Sequence, residues 1–182
     1  MDKNEIVLYQ LADTITVETR LKFNALPSPE VSSADVRNIQ RGQGYIKKII
    51  HWLSEKNALG EYHNADKNWD IIFNSRSVRN VMGHKAGDGK VALLEYVPSL
   101  IENGIYLETI PKGDGLSSHI FAAKATFDGK PSTIGFVVRE DANGKRYYDH
   151  AIRFEDKGRA ESGIRASETT AEVLPDSLNS IF

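Results

Sequence analysis

The chain of 182 residues contains no cysteine, which excludes a disulfide framework, a thiolate zinc site, an iron-sulfur cluster and a thiol nucleophile. Any catalysis must rest on oxygen and nitrogen groups. An excess of either charge is missing as well: 23 Lys and Arg against 25 Asp and Glu leave a net charge of -2. That balance argues against a broad non-specific nucleic-acid surface but permits a small cationic cleft. No apolar run approaches the roughly 20 residues of a membrane span. The opening Met-Asp-Lys-Asn-Glu carries neither the basic nor the apolar segment of a leader. The expectation is a soluble, cytoplasmic protein with no membrane partner. GxxxxGK(S/T), GxSxG, HExxH and GxGxxG are all absent, so phosphate-loop, nucleophile-elbow, zinc-helix and dinucleotide chemistries lack their motifs. The glycine-rich run Lys112-Gly113-Asp114-Gly115 opens no helix and reads as a hairpin loop.

What is present suffices for a core: 40% of residues are apolar and 26% charged. Residues 1–43 read as a packed arm, with helix-like spacing of Ile6, Leu8, Leu11 and Ile15 and a break at Leu26-Pro27-Ser28-Pro29. A domain follows over 44–157, and 158–182 reads as a tail rich in Ser, Ala, Glu and Thr. Within the domain, Ile46, Ile49, Ile50 and Leu53 predict a helix over 45–59 ended by Gly60. Trp69 to Phe73 predicts a strand, and Asn74 is placed to cap a short helix that closes at Gly83 and His84. Val91, Leu94, Val97 and Leu100 predict a helix over 89–103 with a kink at Pro98. From Ile105 the period shortens to two. Ile105 to Ile110, His119 to Phe127, Ser132 to Glu140 and Lys145 to Phe154 are four predicted strands, joined in part by Asp128-Gly129 and Asn143-Gly144 turns. The class is α+β, with N-terminal helices packed on a roughly four-stranded antiparallel meander.

Five histidines supply groups that titrate near neutrality: His51, His63, His84, His119 and His150. His51, beside Trp52, reads as packed, His63 as an exposed turn residue and His119 as structural. His84 closes a helix whose Arg76 and Arg79 lie near one face, and a helix C-terminus favours a protonated imidazole. On the last strand, plain alternation puts Tyr148, His150, Ile152 and Phe154 on one face and Asp149 on the other. Asp149 and His150 are therefore not expected to act together. No compact ligand cluster predicts a metal, and no cofactor is expected.

The stretch from Trp69 to Glu155 contains NSRSVRNVMGHKAGDGKVALLEYVPSLIENGIYL, then SSHIFAAKATFDGKPSTIGFVVRE, then NGKRYYDHAIRFED. This succession resembles the large polyvalent protein-associated domains of phages and mobile elements. It is most similar to the type grouped with nucleases of the barnase, EndoU, colicin E5/D and RelE fold. The resemblance implies a four-stranded antiparallel sheet preceded by helices and metal-independent RNA cleavage. Such cleavage needs a base for the ribose 2′-OH, an acid for the leaving 5′-oxygen, and cations for the phosphorane charge. The expected catalytic residues are His84, His150 and Tyr148, and the expected substrate-binding cations are Arg76, Arg79 and Lys124. The alternative is a catalytically inactive module of the same fold that binds a protein or nucleic-acid partner.

Overall fold

The computed structural model describes residues 16–83 and 86–155. Among the described residues the arm carries α1 (Val17–Asn24), capped by the Thr16 side chain, then a two-residue strand β1 (Glu30–Val31) and a 3-10 turn at Ser33–Val36. Its expected helix over Ile6 to Ile15 lies outside the described residues, as does the tail. Helix α2 (Tyr45–Glu55) buries Tyr45, Ile49 and Leu53. A hairpin of β2 (Gly60–Asn64) and β3 (Trp69–Phe73) follows, so His63 lies on a strand rather than in a turn. Asn74 and Ser77 then form a reciprocal capping box that starts α3 (Ser75–Met82). The expected single helix over 89–103 is instead α4 (Asp88–Leu93), one 3-10 turn at Leu94–Tyr96, and α5 (Val97–Asn103). Pro98 sits in the first turn of α5, where a missing N–H costs nothing, so it restarts a helix rather than kinking one. No helix among the described residues is long and apolar enough to cross a membrane.

Four long strands complete the chain: β4 (Ile105–Gly113), β5 (Leu116–Phe127), β6 (Lys130–Glu140) and β7 (Arg146–Glu155). Each pairs antiparallel with the next. At the β5–β6 turn, Asp128 and Gly129 take φ of 48° and 84°, the left-handed pair that matches strand twist in a two-residue hairpin. The expected four-stranded sheet is nevertheless too small. The sheet has seven strands and is open and mixed, because β1 pairs parallel with β5, β3 pairs parallel with β7 through Ile72 and Tyr147, and β2 extends the edge. The arm is stitched to this sheet through Asp128, whose carboxylate accepts from Ser33 N at 3.0 Å and Ser33 Oγ at 2.8 Å. Those bonds hold the Asp128 carboxyl below its ordinary pKa.

Both faces of the central strands are covered, which explains why β5 and β6 carry near-continuous apolar runs instead of clean alternation. Phe121, Ala123 and Ala125 of β5 with Phe136 and Val138 of β6 face α2 to α5. Ile120, Ala122 and Val137 face the other way, toward Phe23 of α1. The helix-side core is tied by rings: Phe121 stacks on Phe136 at 5.1 Å between centroids, and Tyr148 lies 5.5 Å from Phe73. Buried Asn64 donates to the carbonyls of Ile101 and Gly104 at 2.7 and 2.8 Å, satisfying the end of α5. At Gly104 a Cβ would fall 2.6 Å from Cε1 of Phe136 and 2.8 Å from the Leu100 carbonyl oxygen. Gly104→Ala should therefore cost about 1–3 kcal/mol through overpacking, read as a lower urea midpoint. An unchanged midpoint would show that Phe136 can yield.

Candidate active site

The register of β6 with β7 slips by one residue. Val137 pairs with His150 and Val138 with Tyr148, so Asp149 is the extra residue of a β-bulge. Val137 and Val138 point to opposite faces, and their partners must do the same. The expected sharing of one face by Tyr148 and His150 is thereby overturned. Tyr148 is 1% exposed within the helix-side core, where burial drives its phenol far above its ordinary pKa. The structure places it in the core, apart from the exposed face that carries His150. The tyrosine on the His150 face is Tyr147, which pairs with Arg139, two residues along β6 from Val137. Ser118 of β5 lies opposite Arg139 on its other side. Ser118, Arg139, Tyr147 and His150 thus occupy adjoining register positions on the sheet face turned away from α2 to α5, and all four are partly exposed.

The bulge also reverses the expectation for Asp149. Its Oδ2 lies 2.7 Å from His150 Nδ1, while its Oδ1 accepts from Asn80 Nδ2 at 3.3 Å and stands 3.9 Å from Arg139 Nη1. The His150 hydrogen bond, aided by Arg139 and Asn80, holds the Asp149 carboxyl below the usual carboxylate range against the opposing effect of burial. A carboxylate on Nδ1 fixes the imidazole tautomer and makes Nε2 the acceptor nitrogen, which suits proton abstraction. Side-chain exposures of 20% for His150, 25% for Asp149 and 36% for Arg139 leave the group reachable from solvent. The pairing of β3 with β7 ends at Tyr147, and α3 takes over along the β7 edge, which brings Asn80 to the bulge.

The other expected residues distribute differently. His84 lies outside the described residues. Arg76 and Arg79 are exposed on α3, where Arg79 donates to Ser75 Oγ at 3.4 Å. Arg76 precedes Asn80 by four residues, one helical turn from the contact with Asp149. Lys124 donates to the Asn24 carbonyl at 2.9 Å and sits 5.1 Å from the Phe23 ring, with burial lowering its pKa. It fastens α1 to the sheet and lies apart from the Asp149–His150 pair. His51 is exposed rather than packed and pairs with Glu55 at 2.9 Å. His63 is exposed and bonded to Asp70 at 2.8 Å, which raises its pKa. Among the described residues no three His, Asp or Glu side chains cluster to hold a metal ion.

His119, 4% exposed, organises the opposite face at the same end of the sheet. Its Nδ1 lies 2.7 Å from Thr109 Oγ1 and its Nε2 3.1 Å from Glu140 Oε1. Glu140 is held in turn by Arg146 at 2.7 Å, and Trp69 covers the pair, its ring 4.6 Å from the imidazole and 4.0 Å from Arg146 Cζ. With both ring nitrogens engaged and its edge closed by Trp69, His119 is a structural group. Burial outweighs Glu140 and lowers its pKa. The unfolded chain then takes up the proton first, so this contribution to stability is complete above about pH 6.5 and is lost as pH falls toward the depressed folded value. The urea midpoint should drop on acidification by less in His119→Gln than in the wild type; equal drops would clear His119 of the effect.

A family model described as large polyvalent protein-associated domain 3 matches residues 44–148. No curated protein and no solved structure matches the chain.

Proposed function

The chain belongs to the large polyvalent protein-associated domain 3 family, and from that premise we propose that it is a metal-independent ribonuclease-like domain serving phage or mobile-element conflict. The observation that carries the reading is the bulge, which sets an Asp149–His150 pair beside Arg139 and Tyr147 on a partly open sheet face. His150 Nε2 takes the proton of a ribose 2′-OH, and the freed oxygen attacks phosphorus. Arg139 stabilises the charge gathering on the phosphorane oxygens. The bond to the 5′-oxygen breaks and that oxygen receives a proton, the part we assign to His84, leaving a 2′,3′-cyclic phosphate and a 5′-hydroxyl. Tyr147 offers a stacking face or a hydroxyl donor, and Arg76 a phosphate contact. DNA escapes because it lacks the 2′-OH.

The test is to incubate single-stranded RNA and DNA of one sequence with the protein in EDTA across about pH 5 to 8, where histidine changes charge. RNA should be cut and DNA spared, with a bell-shaped pH profile. An uncut RNA throughout would remove the nuclease reading. The second reading, a non-catalytic module that binds a protein or nucleic acid, is favoured by the placement of Tyr148 in the core and Lys124 under α1, which take two expected residues away from any site.

A further inference from the structure

We infer that Asn80 is a positioning residue that orients the Asp149 carboxylate, so that one oxygen is kept for His150 while the other is held from α3. The inference rests on the reading of His150 as the proton acceptor, but its physical content can be tested separately. A carboxylate at a bulge has no ladder neighbour to fix its rotamer, because the extra residue lacks a cross-strand partner. Asp149 has two competing cations or donors: His150 at 2.7 Å through Oδ2, and Arg139 at 3.9 Å through Oδ1. Left to these, the carboxylate gains by rotating toward the permanently charged guanidinium, whose planar fork can hold a carboxylate by two bonds. Asn80 Nδ2 of α3 donates to the same Oδ1 at 3.3 Å, from an element outside the sheet. An amide is neutral, so it occupies Oδ1 without adding charge that would weaken the His150 bond.

The geometry of α3 suits this role. The capping box at Asn74 and Ser77 sets where the helix starts, and Val78, Val81 and Met82 bury its opposite side. Asn80 is therefore delivered to Asp149 by a helix anchored at its N-terminus and along its apolar face, not by a mobile loop. The same helix carries Arg76 one turn earlier.

The experiment uses the full chain labelled with 15N at histidine. Ring nitrogen shifts should show His150 protonated at Nδ1 in the wild type. In Asn80→Ala that preference should give way to a mixture of tautomers, while His119, held by Thr109 and Glu140, keeps its wild-type shifts as a reporter of the intact sheet. Asn80→Ser, which shortens the donor, is the second variant. An unchanged His150 tautomer in both variants would overturn the inference. Loss of the His119 shifts in both would do so too, by making Asn80 a residue of the fold. If the wild type cuts RNA, Asn80→Ala should lower kcat about tenfold with KM nearly unchanged, since only an interaction with the reacting group is weakened. If the wild type cuts none, the nuclease reading fails and the tautomer result alone decides the role of Asn80.

Discussion

RNA cleavage by the His150→Ala variant should fall by about 100-fold or more, since general acid-base catalysis contributes about 10² to 10⁴. The melting curve should stay nearly intact. His150 is not one of the fully buried core residues; its side chain is 20% exposed and bonds Asp149 on the same strand. Removing the imidazole does strand Asp149, yet that carboxylate keeps Asn80 and Arg139 and has access to water. A purely structural histidine predicts the reverse, a stability loss of about 1–3 kcal/mol from an unpaired polar group with no activity to lose. Activity and unfolding measured on the same variant separate the two. An unaltered cleavage rate would move the chemistry away from this face altogether.

The elements that periodicity specifies were legible. Gly-rich and Asp-Gly turns punctuate a two-residue period after Ile105, and the strands β4 to β7 lie where that pattern puts them, within boundary slips of a few residues. The strands that only non-local pairing creates were not legible. Gly60–Asn64 is a polar run with no alternation of its own, and it becomes a strand because it pairs with Trp69–Phe73 and Asn64 caps α5. Glu30–Val31 is too short to carry a period and exists because β5 continues beyond Ala122, the partner of the first residue of β4. At the site the obstacle was a single residue. Alternation assigns faces correctly along β5, where His119 and Lys124 do fall on opposite sides, but nothing in Tyr-Tyr-Asp-His marks the place where β7 gains a residue on β6. The bulge exchanges Tyr148 for Tyr147 and turns an Asp149 that alternation had sent away into the partner of His150. Arg139 was legible as a strand residue only; its relevance follows from its register with Tyr147.

Tyr148→Ala should be the most destabilising of these substitutions, costing about 3–5 kcal/mol, a large share of the about 5–15 kcal/mol that holds a typical domain. The ring is enclosed by Phe73 at 5.5 Å and Phe136 at 6.0 Å, and Phe136 in turn stacks on Phe121, so the hole opens in the middle of an aromatic row that cannot collapse without moving β3 or β6. The companion variant Tyr148→Phe keeps the ring and removes only the hydroxyl. It should leave any RNA cleavage within about threefold of the wild type, because the mechanism uses no atom of this side chain, whereas the loss of a transition-state contact costs tenfold for every 1.36 kcal/mol. Tyr147→Phe is the matched contrast on the exposed face: little change in unfolding midpoint, and a lower kcat if its hydroxyl reaches the substrate. Chemical unfolding and cleavage assays on the three variants place the tyrosine of the site. Should Tyr148→Phe abolish cleavage at full stability, the bulge would not govern which face is functional, and the assignment of Asp149, Arg139 and Tyr147 to the His150 side would fall with it.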